Sequence, residues 1–498
     1  MNIKKKTVLA MIAAVILIAA AVFIFFIVSK KSDAQKSDFS KLSWTDAFSK
    51  LHGRISKEYA FTEWKGIEWQ KLYEEYLEKI EAAQLKNDFE VYYTNLRKYL
   101  HEVPDGHVGM NNIREIDDKY IGGGFGLAAA KLDDGRIIIT WVDESGPAWA
   151  AGIRTGAELI EWDGQPVTDA VVAVSTIFTS IPATEENLES KRLQYLVRAP
   201  ISKQISIKFL NQKNSELQLV SITAYDDNKK SLTKNYPDSV VSDKLRNMIV
   251  GVEDPNPMPE AMVEKKTLNG NISYIKIWGE FDADLQETGK AQSTLELLRL
   301  AVQESIEEKS TGIILDLRNN LGGLDDMAAD ILGSFYSEKT FYEYQNVYNP
   351  ATGERKIQPA NPKTGSLALY IEPAKQCFNG RIIALINTKC VSSGEGIAMG
   401  IRNLPNGETL GFFGTNGSFG LSGAEAVMPG GLIVRWPSGQ SLDENKNIQL
   451  DSRDGIGGVS PSIPIPMSFE NAIRVSNGED IELEEAIRIL GVCSKILG

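Results

Sequence analysis

Apolar residues are spaced in three different ways along this chain, and each spacing predicts a different kind of element. An unbroken apolar run extends from residue 7 to residue 28, with lysines on both sides. Between residues 69 and 100, large apolar side chains recur every three or four positions, which predicts amphipathic helices. From about residue 120 the apolar runs become short and are bounded by glycines, which predicts strands.

Strand and helix patterns alternate in the second half of the chain. Strands are predicted over residues 272–277, 313–317 and 382–387, and helices over residues 295–307, 327–336 and 397–404. This alternation is typical of an α/β core with parallel strands. Loops at the ends of such strands usually carry the ligand site, so chemistry is expected there.

These patterns divide the chain into five segments. Residues 1–33 form a predicted membrane anchor, 34–115 a small helical domain, 116–225 a strand-rich domain, 226–263 a linker and 264–498 the α/β core. The expected fold class is therefore a multidomain α+β and α/β protein behind an N-terminal membrane helix.

The apolar run at residues 7–28 is long enough for a membrane span. About 20 apolar residues at about 1.5 Å each cross a bilayer core, whereas the apolar part of a secretory signal is usually about 7–15 residues long. No clear small-residue cleavage site follows Val28, so an uncleaved single-pass anchor is favoured over a cleaved signal peptide. We expect the N-terminus in the cytoplasm and the folded part in the periplasm or at the cell exterior.

Composition excludes several classes of function. The chain has 498 residues, a formal net charge of −13 and three cysteines. An acidic chain with no basic face cannot neutralise phosphates, so no nucleic-acid partner is predicted. Cys377, Cys390 and Cys493 form no metal-ligand pattern, and neither a metal nor another cofactor is expected.

Ser392 is the first candidate for a reactive residue, because it follows the predicted strand at residues 382–387 and precedes a predicted helix. A hydroxyl at such a junction can project past the strand end beside the N-terminal amides of the helix, as a nucleophile for a carbonyl must. The alternative is that Ser392 or Ser393 only caps the helix, with Glu395 as the acidic residue of its first turn.

His107 is the candidate base in a chain that has two other histidines, His52 and His101. Asp105 and Gly106 end a helical pattern and force a turn, which can direct the next ring toward a cleft. An unperturbed pKa of about 6.5 suits proton transfer at neutral pH. The alternative is an exposed or hydrogen-bonded loop histidine without a chemical role.

A glycine pair, Gly322 and Gly323, follows the predicted strand at residues 313–317. Glycines let backbone amides turn toward a ligand with no Cβ in the way, so the pair could donate hydrogen bonds to a developing oxyanion. The alternative is an ordinary turn between a strand and a helix.

Four motifs in this order resemble the tail-specific, or C-terminal processing, serine peptidases. They are Asp-Gly-His at residues 105–107, Asp-Leu-Arg-Asn-Asn-Leu-Gly-Gly at 316–323, Ser-Ser-Gly-Glu at 392–395 and Gly-Val-Ser-Pro at 458–461. The resemblance implies a crotonase-like α/β peptidase core with Ser392 as the nucleophile and with oxyanion amides at Gly322 and Ser393. It implies no cofactor.

The base distinguishes two branches of that family. One branch pairs the serine with a downstream lysine, but no lysine lies between positions 389 and 446. Unless Lys389 or a more distant lysine folds in, the chain therefore resembles the tricorn-like branch, in which a histidine is the base, here His107. That branch places a glutamate where this chain has Gly455. The nearest carboxylates are Asp454 and then Asp451, and Asp454 is the candidate orienter of the histidine; the alternative for both is a solvated turn.

Residues 116–225 resemble the PDZ domains of proteases. The resemblance implies that Gly124, Phe125, Gly126 and Leu127 bind the C-terminal carboxylate of a peptide through backbone amides, while the peptide adds a strand to the sheet edge. The alternative is a glycine-rich hairpin without a ligand. The matching series includes Gly-Phe-Gly-Leu at residues 124–127, Gly-Pro-Ala at 146–148, Ala-Gly-Ile at 151–153 and Asp-Gly at 163–164.

These features predict a membrane-anchored extracytoplasmic serine endopeptidase that forms an acyl-enzyme on Ser392. Its partners would be polypeptides with free C-termini and, through residues 1–33, a membrane; the sequence indicates no oligomeric state. The alternative is a PDZ scaffold with a decayed peptidase core. The missing glutamate favours that alternative, and the survival of Ser392, His107 and the glycine pair opposes it.

Overall fold

The computed structural model of this chain describes residues 36–212, 216–234, 259–286, 288–360 and 364–496. The predicted membrane anchor, residues 1–33, lies outside these ranges, and so does the middle of the predicted linker. Within them, no helix is both long and apolar enough to cross a membrane.

The predicted helical region contains three long helices. Two of them begin at side-chain caps, because Ser43 accepts a hydrogen bond from Asp46 N and Asp88 accepts one from Val91 N. Such caps satisfy backbone N–H groups that have no partner inside the helix. The helices are Trp44–Glu58, Trp69–Leu85 and Phe89–His101.

The apolar faces of these helices pack on a hairpin from the last quarter of the chain. The two strands of the hairpin are Gly420–Met428 and Leu432–Leu442. Side chains such as Phe48 from the helices and Trp436 from the hairpin are buried in the same cluster. The first and last quarters of the chain therefore share one hydrophobic core.

The segment that resembles a PDZ domain forms a separate six-stranded sheet with its own core. The strand Leu127–Lys131 lies at one edge, and the helix Glu185–Leu196 packs beside it. The other strands are Ile137–Val142, Glu158–Trp162, Gln165–Pro166, Gln204–Leu210 and Leu217–Thr223. Shorter elements are the helices Arg114–Ile121, Pro147–Ala150 and Val167–Val172 and the strand pair Gly123–Gly124 and Arg198–Ala199.

The predicted α/β core is confirmed. Ile314 and Ile383 are fully buried on its central strands, as expected for a sheet covered on both faces. The parallel strands lie in the order Ile272–Ile277, Gly312–Asp316, Arg381–Leu385, Gly407–Gly411 and Ile463–Pro464, and Val263–Leu268 is antiparallel at the other edge. Its helices are Thr294–Glu307, Asp325–Leu332, Ser393–Arg402, Phe469–Ser476 and Ile481–Ile496.

A second sheet of seven strands is present that the apolar pattern does not predict. Its strands mix apolar residues with glycine, serine and charged residues, so their alternation is weak. Besides the hairpin Gly420–Met428 and Leu432–Leu442, it contains Lys36–Asp38, Gly109–Met110, Thr340–Asn349, Glu354–Gln358 and Ala368–Ile371.

Candidate active site

Ser392 lies at the junction that the sequence predicts, between the strand Arg381–Leu385 and the helix Ser393–Arg402. It is the N-cap of that helix, with φ 58° and ψ −130°. A positive φ is strained for a residue with a Cβ and persists where the surroundings enforce it. Here the Ser392 N–H lies 3.1 Å from Ser418 O and 3.2 Å from Glu395 Oε1, and donates to both.

Gly322, the first residue of the glycine pair, meets Ser392 directly. Gly322 has φ +72°, and a Cβ built on it would lie 2.6 Å from Ser392 Cβ, so the contact requires glycine. The N–H of Gly322 donates to Asn320 Oδ1 at 2.8 Å and is not available to an oxyanion. Among the described residues, the N–H groups of Gly323 and Ser393 have no acceptor. The prediction that the Gly322 amide is the oxyanion donor is therefore wrong for this structure, in which the amides of Gly323 and Ser393 are the ones left open.

The hydroxyl of Ser393 is engaged by a carboxylate. Ser393 is fully buried, and its Oγ donates to Asp325 Oδ1 at 2.9 Å. Burial raises the pKa of Asp325 to about 6, although the Ser393 hydroxyl and the charge of His107 oppose the rise. Of the two neighbouring serines, Ser392 is the one that is partly exposed.

His107 lies on a turn whose own carboxylate faces the ring. Asp105 Oδ1 is 3.6 Å from His107 Nδ1 and accepts the backbone N–H of His107 at 2.8 Å. Asp105 Oδ2 accepts a hydrogen bond from the Tyr59 hydroxyl at 2.9 Å, which fixes the carboxylate from its other side. Nδ1 of His107 is buried and has no hydrogen-bond partner in the described structure. A small movement of the ring would complete the contact to Asp105.

Acidic neighbours keep His107 more basic than a free histidine. Burial favours the neutral ring, but the carboxylate of Asp105 and the charges of Asp451 and Glu395 outweigh it, so the pKa of His107 is raised. Burial also disfavours ionised Asp105, yet His107 and Lys65 hold the pKa of Asp105 below its usual value. An ionised carboxylate thus lies beside a ring that can take up a proton.

Ser418 connects the turn that carries His107 to Ser392. Its Oγ accepts a hydrogen bond from Gly106 N at 2.8 Å, and its carbonyl accepts the one from Ser392 N. In the part of the chain that the structure describes, the His107 ring and the Ser392 hydroxyl form no direct hydrogen bond. Ser418 therefore links Gly106, the residue before His107, to the backbone of Ser392.

The predicted orienter Asp454 is wrong. Its side chain is 91% exposed and faces Arg453 at 3.8 Å. The residue has φ 52° on a tight turn, which directs the carboxylate to solvent. The carboxylate that faces the ring of His107 is Asp105, only two residues before it.

Asp451 is the buried carboxylate of the same loop. Its Oδ1 lies 2.7 Å from Lys65 Nζ, and the two side chains are 0% and 2% exposed. Lys65 also donates to Pro104 O at 2.9 Å and to Ser452 Oγ at 2.8 Å. Burial and the charge of Asp105 raise the pKa of Asp451 to about 7, against the effect of Lys65. Through Lys65, the helical region holds both the turn of the base and the loop behind it.

Glu395 is fully buried behind Ser392. Its Oε2 accepts hydrogen bonds from Thr415 Oγ1 at 2.6 Å and Gly417 N at 2.8 Å, while Oε1 accepts from Ser418 N at 3.0 Å. Burial raises the pKa of Glu395 to about 7 despite these hydrogen bonds. The described residues contain no group of three His, Cys, Asp or Glu side chains that could hold a metal ion.

The predicted carboxylate-binding loop is buried at the start of the edge strand Leu127–Lys131. Gly124 exchanges two backbone hydrogen bonds with Tyr225, of 2.9 and 3.0 Å, so its N–H is occupied. The N–H groups of Phe125 and Gly126 have no acceptor within the described ranges, and Gly126 has φ +74°. Adjacent unpaired amides in such a turn suit an anion.

Two family models match the chain. Residues 271–465 match peptidase family S41, and residues 124–229 match a PDZ domain. The chain carries an S41 peptidase domain and a PDZ domain. The family that the motifs predict is thereby confirmed, and the S41 domain makes the protein a serine-type peptidase. No curated protein matches this chain in sequence.

Two solved structures are among those similar to this chain. Mature CPAF in complex with lactacystin has a TM-score of 0.60 and 14% identity, covering 91% of this chain and 98% of that chain. The photosystem II D1 C-terminal processing protease has a TM-score of 0.39 and 17% identity, covering 88% and 98%. At its low identity, the likeness to CPAF is evidence for the fold alone.

Two residues that support the S41 site can be recognised from the sequence, although neither is among the predicted site residues. Asp105 and Asn320 both lie inside the motifs that identify the family. Ser418 and Lys65, in contrast, lie far along the chain from His107 and Ser392, and only the fold brings them there. The motifs in the sequence can therefore identify Asp105 and Asn320, but they cannot identify Ser418 and Lys65.

Proposed function

We propose that this protein is a membrane-anchored, extracytoplasmic serine endopeptidase that recognises protein C-termini and cleaves peptide bonds through an acyl-enzyme on Ser392. The observation that carries the proposal is the strained N-cap backbone of Ser392, held against the turn of Gly322 and Gly323. A strained serine between a strand and a helix, beside unpaired amides, suits an acyl-transfer nucleophile.

In the proposed reaction, the Ser392 hydroxyl attacks the scissile carbonyl carbon while His107 Nε2 takes up the hydroxyl proton. The N–H groups of Gly323 and Ser393 stabilise the oxyanion that forms. The C–N bond then breaks, His107 gives its proton to the leaving amine, and the acyl group stays on Ser392. A water molecule, deprotonated by His107, then attacks the acyl carbon. The bond to Ser392 breaks, His107 returns its proton to the Ser392 oxygen and the acid leaves, while Asp105 stabilises the charged ring.

Substitutions of the nucleophile and base test this assignment. Ser392→Ala and His107→Ala should each lower kcat for a peptide by about 10³-fold or more, and the double variant should be little worse, because the two groups act as a unit. Ser393→Ala is the matched control, since alanine keeps the backbone amide, and it should retain much more activity. A fluorophosphonate should label wild-type protein on Ser392 and leave Ser392→Ala unlabelled.

A PDZ scaffold without activity is the second candidate, favoured by Gly455 in place of the glutamate and by the exposed Asp454. Folded wild-type protein that binds C-terminal peptides, but neither hydrolyses them nor reacts with the fluorophosphonate, would establish the scaffold and refute the peptidase.

Carboxylate capture by the PDZ domain is supported by the unpaired amides of Phe125 and Gly126. A peptide with a free apolar C-terminus should bind at least about 10-fold more tightly than its C-terminally amidated form, because the amide removes the charge that these N–H groups solvate. Fluorescence anisotropy with the two peptides measures the difference. Equal affinities would remove carboxylate capture from the proposal.

Membrane anchoring is proposed from the apolar run at residues 7–28 alone. Release of the full chain from membranes should require detergent, whereas a chain beginning near residue 40 should be soluble. N-terminal sequencing of membrane-bound protein should find residues before Val28. A mature N-terminus beyond Val28 would contradict the uncleaved anchor.

A further inference from the structure

Two polar side chains are completely buried beneath the glycine turn that touches Ser392. Glu280 and Asn320 are both 0% exposed. The attack and proton transfer proposed for the S41 site use neither of them, although each lies within a few residues of that turn or bonds to its backbone. Buried polar groups are costly unless hydrogen-bonded, so their partners show what they hold in place.

The side-chain amide of Asn320 is fully used. Its Oδ1 accepts the N–H of Gly322 at 2.8 Å. Its Nδ2 donates to Glu280 Oε1 at 2.8 Å and to Ile277 O at 3.1 Å. The amide therefore fixes the direction of the Gly322 N–H, and the next N–H along the chain, that of Gly323, is the one left without an acceptor in the described structure.

The backbone of Glu280 forms hydrogen bonds with the same turn. Its N–H donates to Gly322 O at 3.1 Å, and its carbonyl accepts the N–H of Leu324 at 2.8 Å. Its side chain meanwhile accepts the Asn320 amide, so one residue contacts the turn at three points. Oε2 of Glu280 is buried without a partner in the described structure, and burial raises the pKa of Glu280 to about 8.

Asn320 also contacts the segment that carries the nucleophile. Its backbone carbonyl accepts the N–H of Val391, the residue before Ser392, at 3.2 Å. A side chain on Gly394, in the first turn of the nucleophile helix, would collide with the Asn320 amide. Asn320 therefore contacts both the Gly322–Gly323 turn and the start of the helix that follows Ser392. The amides of these two segments are proposed to stabilise the oxyanion.

We propose that Glu280 and Asn320 are positioning residues for the oxyanion site, holding the Gly322–Gly323 turn and the N-terminus of the nucleophile helix in register. This inference rests on the proposed peptidase function. Neither side chain touches the reacting atoms; each acts through the backbone amides that do.

Three substitutions of Glu280 test the proposal. Glu280→Gln keeps an acceptor for Asn320 Nδ2 and should retain wild-type kcat. Glu280→Met has a similar shape but no acceptor, and should lower kcat about 10- to 100-fold with KM changed less than about 3-fold, because an oxyanion donor contributes about 10²- to 10³-fold. Glu280→Asp withdraws the carboxyl by one methylene, so its kcat should lie between those of the other two variants. If the methionine variant does not fold, the kcat of Glu280→Asp tests the proposal instead.

A second readout separates oxyanion binding from general damage to the fold. A peptide aldehyde adds to Ser392 and creates the oxyanion, whereas the matching peptide alcohol cannot. Glu280→Met should weaken the aldehyde about 10- to 100-fold and the alcohol less than about 3-fold. Glu482→Gln is the control, because Glu482 is also fully buried but hydrogen-bonds to Phe412 N and Arg318 instead. It should leave both affinities unchanged.

The outcomes of these experiments distinguish the proposed peptidase function from the proposed positioning role of Glu280 and Asn320. Wild-type protein that shows no hydrolysis and no preference for the aldehyde refutes the peptidase function itself. Active wild-type protein, together with folded Glu280→Met and Glu280→Asp variants that keep wild-type kcat and aldehyde affinity, refutes the positioning role alone. A loss of activity in Glu280→Gln equal to that in Glu280→Met would also refute it, because the acceptor would then not be what matters.

Discussion

The backbone of Ser392 has a φ of 58°, which a residue with a Cβ adopts only under constraint. The constraint comes from the carbonyl of Ser418 and the carboxylate of Glu395, which both accept its N–H. Such strain is a property of one residue, and it is separable from the chemistry of the hydroxyl. Stability and activity should therefore respond differently when this residue is changed.

Ser392→Gly should be more stable than Ser392→Ala by about 1 kcal/mol, because glycine reaches this backbone region without strain. Both variants lack the hydroxyl and should be equally inactive. Thermal unfolding of the two proteins side by side measures the difference. A glycine variant less stable than the alanine variant would show that the site is not strained.

The carboxylate of Asp105 should set the acid limb of the pH profile. His107 must be neutral to act as a base, so kcat/KM should rise with pH through a midpoint above the ordinary value of 6.5, because Asp105 and other carboxylates raise the pKa of the ring. Asp105→Asn removes the nearest carboxylate and leaves the effect of burial. Its midpoint should move to lower pH, and its plateau should fall by about 100-fold. Asp454→Asn, at the exposed carboxylate, is the control and should leave the midpoint unchanged.

The positions of the candidate residues are easier to predict than the contacts that surround them. Ser392 lies at the predicted junction of a strand and a helix, and His107 lies on the predicted turn, while their chemical roles stay predictions. Asp454 fails because it lies on a turn, with φ 52°, and its side chain is 91% exposed. Gly322 fails for a similar reason: which of two adjacent amides is free depends on where the Asn320 side chain folds back.

At the scale of elements, a short loop links the PDZ domain to the peptidase site. The groove beside the edge strand Leu127–Lys131 is lined by Leu193 of the PDZ helix and by Phe413 of the peptidase domain. The next residue, Gly414, donates its N–H to Glu186 Oε2 at 2.9 Å. Four residues further on, Ser418 accepts the N–H of Ser392. One end of the loop thus lies in the groove and the other at the nucleophile.

Glu186→Ala should therefore lower kcat by about 3- to 10-fold, because the N–H of Gly414 loses a charged acceptor and the loop behind Ser392 loosens. Glu189→Ala lies one turn further along the same helix and pairs with Lys131 instead, so it is the matched control. It should leave kcat unchanged. Equal effects of the two substitutions on kcat would show that the Gly414 contact is not what matters.

Elements with a clear apolar pattern can be predicted from this sequence. Elements whose apolar face is covered by distant parts of the chain cannot. The strands Gly312–Asp316 and Arg381–Leu385 of the α/β core contain continuous apolar runs, so their positions follow from the sequence. The hairpin Gly420–Met428 and Leu432–Leu442 contains serine, glycine and proline, and its apolar face is covered by helices from the other end of the chain. No local window contains that information.

At the scale of the whole molecule, a buried ion pair joins the helical region to the peptidase site. Lys65 pairs with Asp451 at 2.7 Å and donates to Pro104 O, next to the turn of the base. Removing one partner of a buried pair leaves an uncompensated charge, which costs far more than the pair itself contributes.

Lys65→Met should lower the free energy of unfolding by about 3–5 kcal/mol and should also lower kcat, since Pro104 and Asp451 lose the donor that holds them. Lys71→Met is the control, because Lys71 faces Glu68 at 3.5 Å with both side chains 73% exposed. It should change neither stability nor kcat. Thermal unfolding together with a peptide assay decides the matter, and a Lys65→Met protein as stable and active as wild type would contradict the role given to the pair.

The core shared by the helices Trp44–Glu58 and Phe89–His101 with the hairpin at residues 420–442 has a consequence for biosynthesis. A ribosome adds about 5–20 residues per second, so the hairpin is made roughly tens of seconds after the helices. Until then the helices lack their apolar partner, and the turn that carries His107 lacks the serine at position 418 that tethers it. A growing chain therefore contains His107 before the surroundings of Ser392 are organised. For the proposed peptidase, activity should begin only after the hairpin at residues 420–442 has been made.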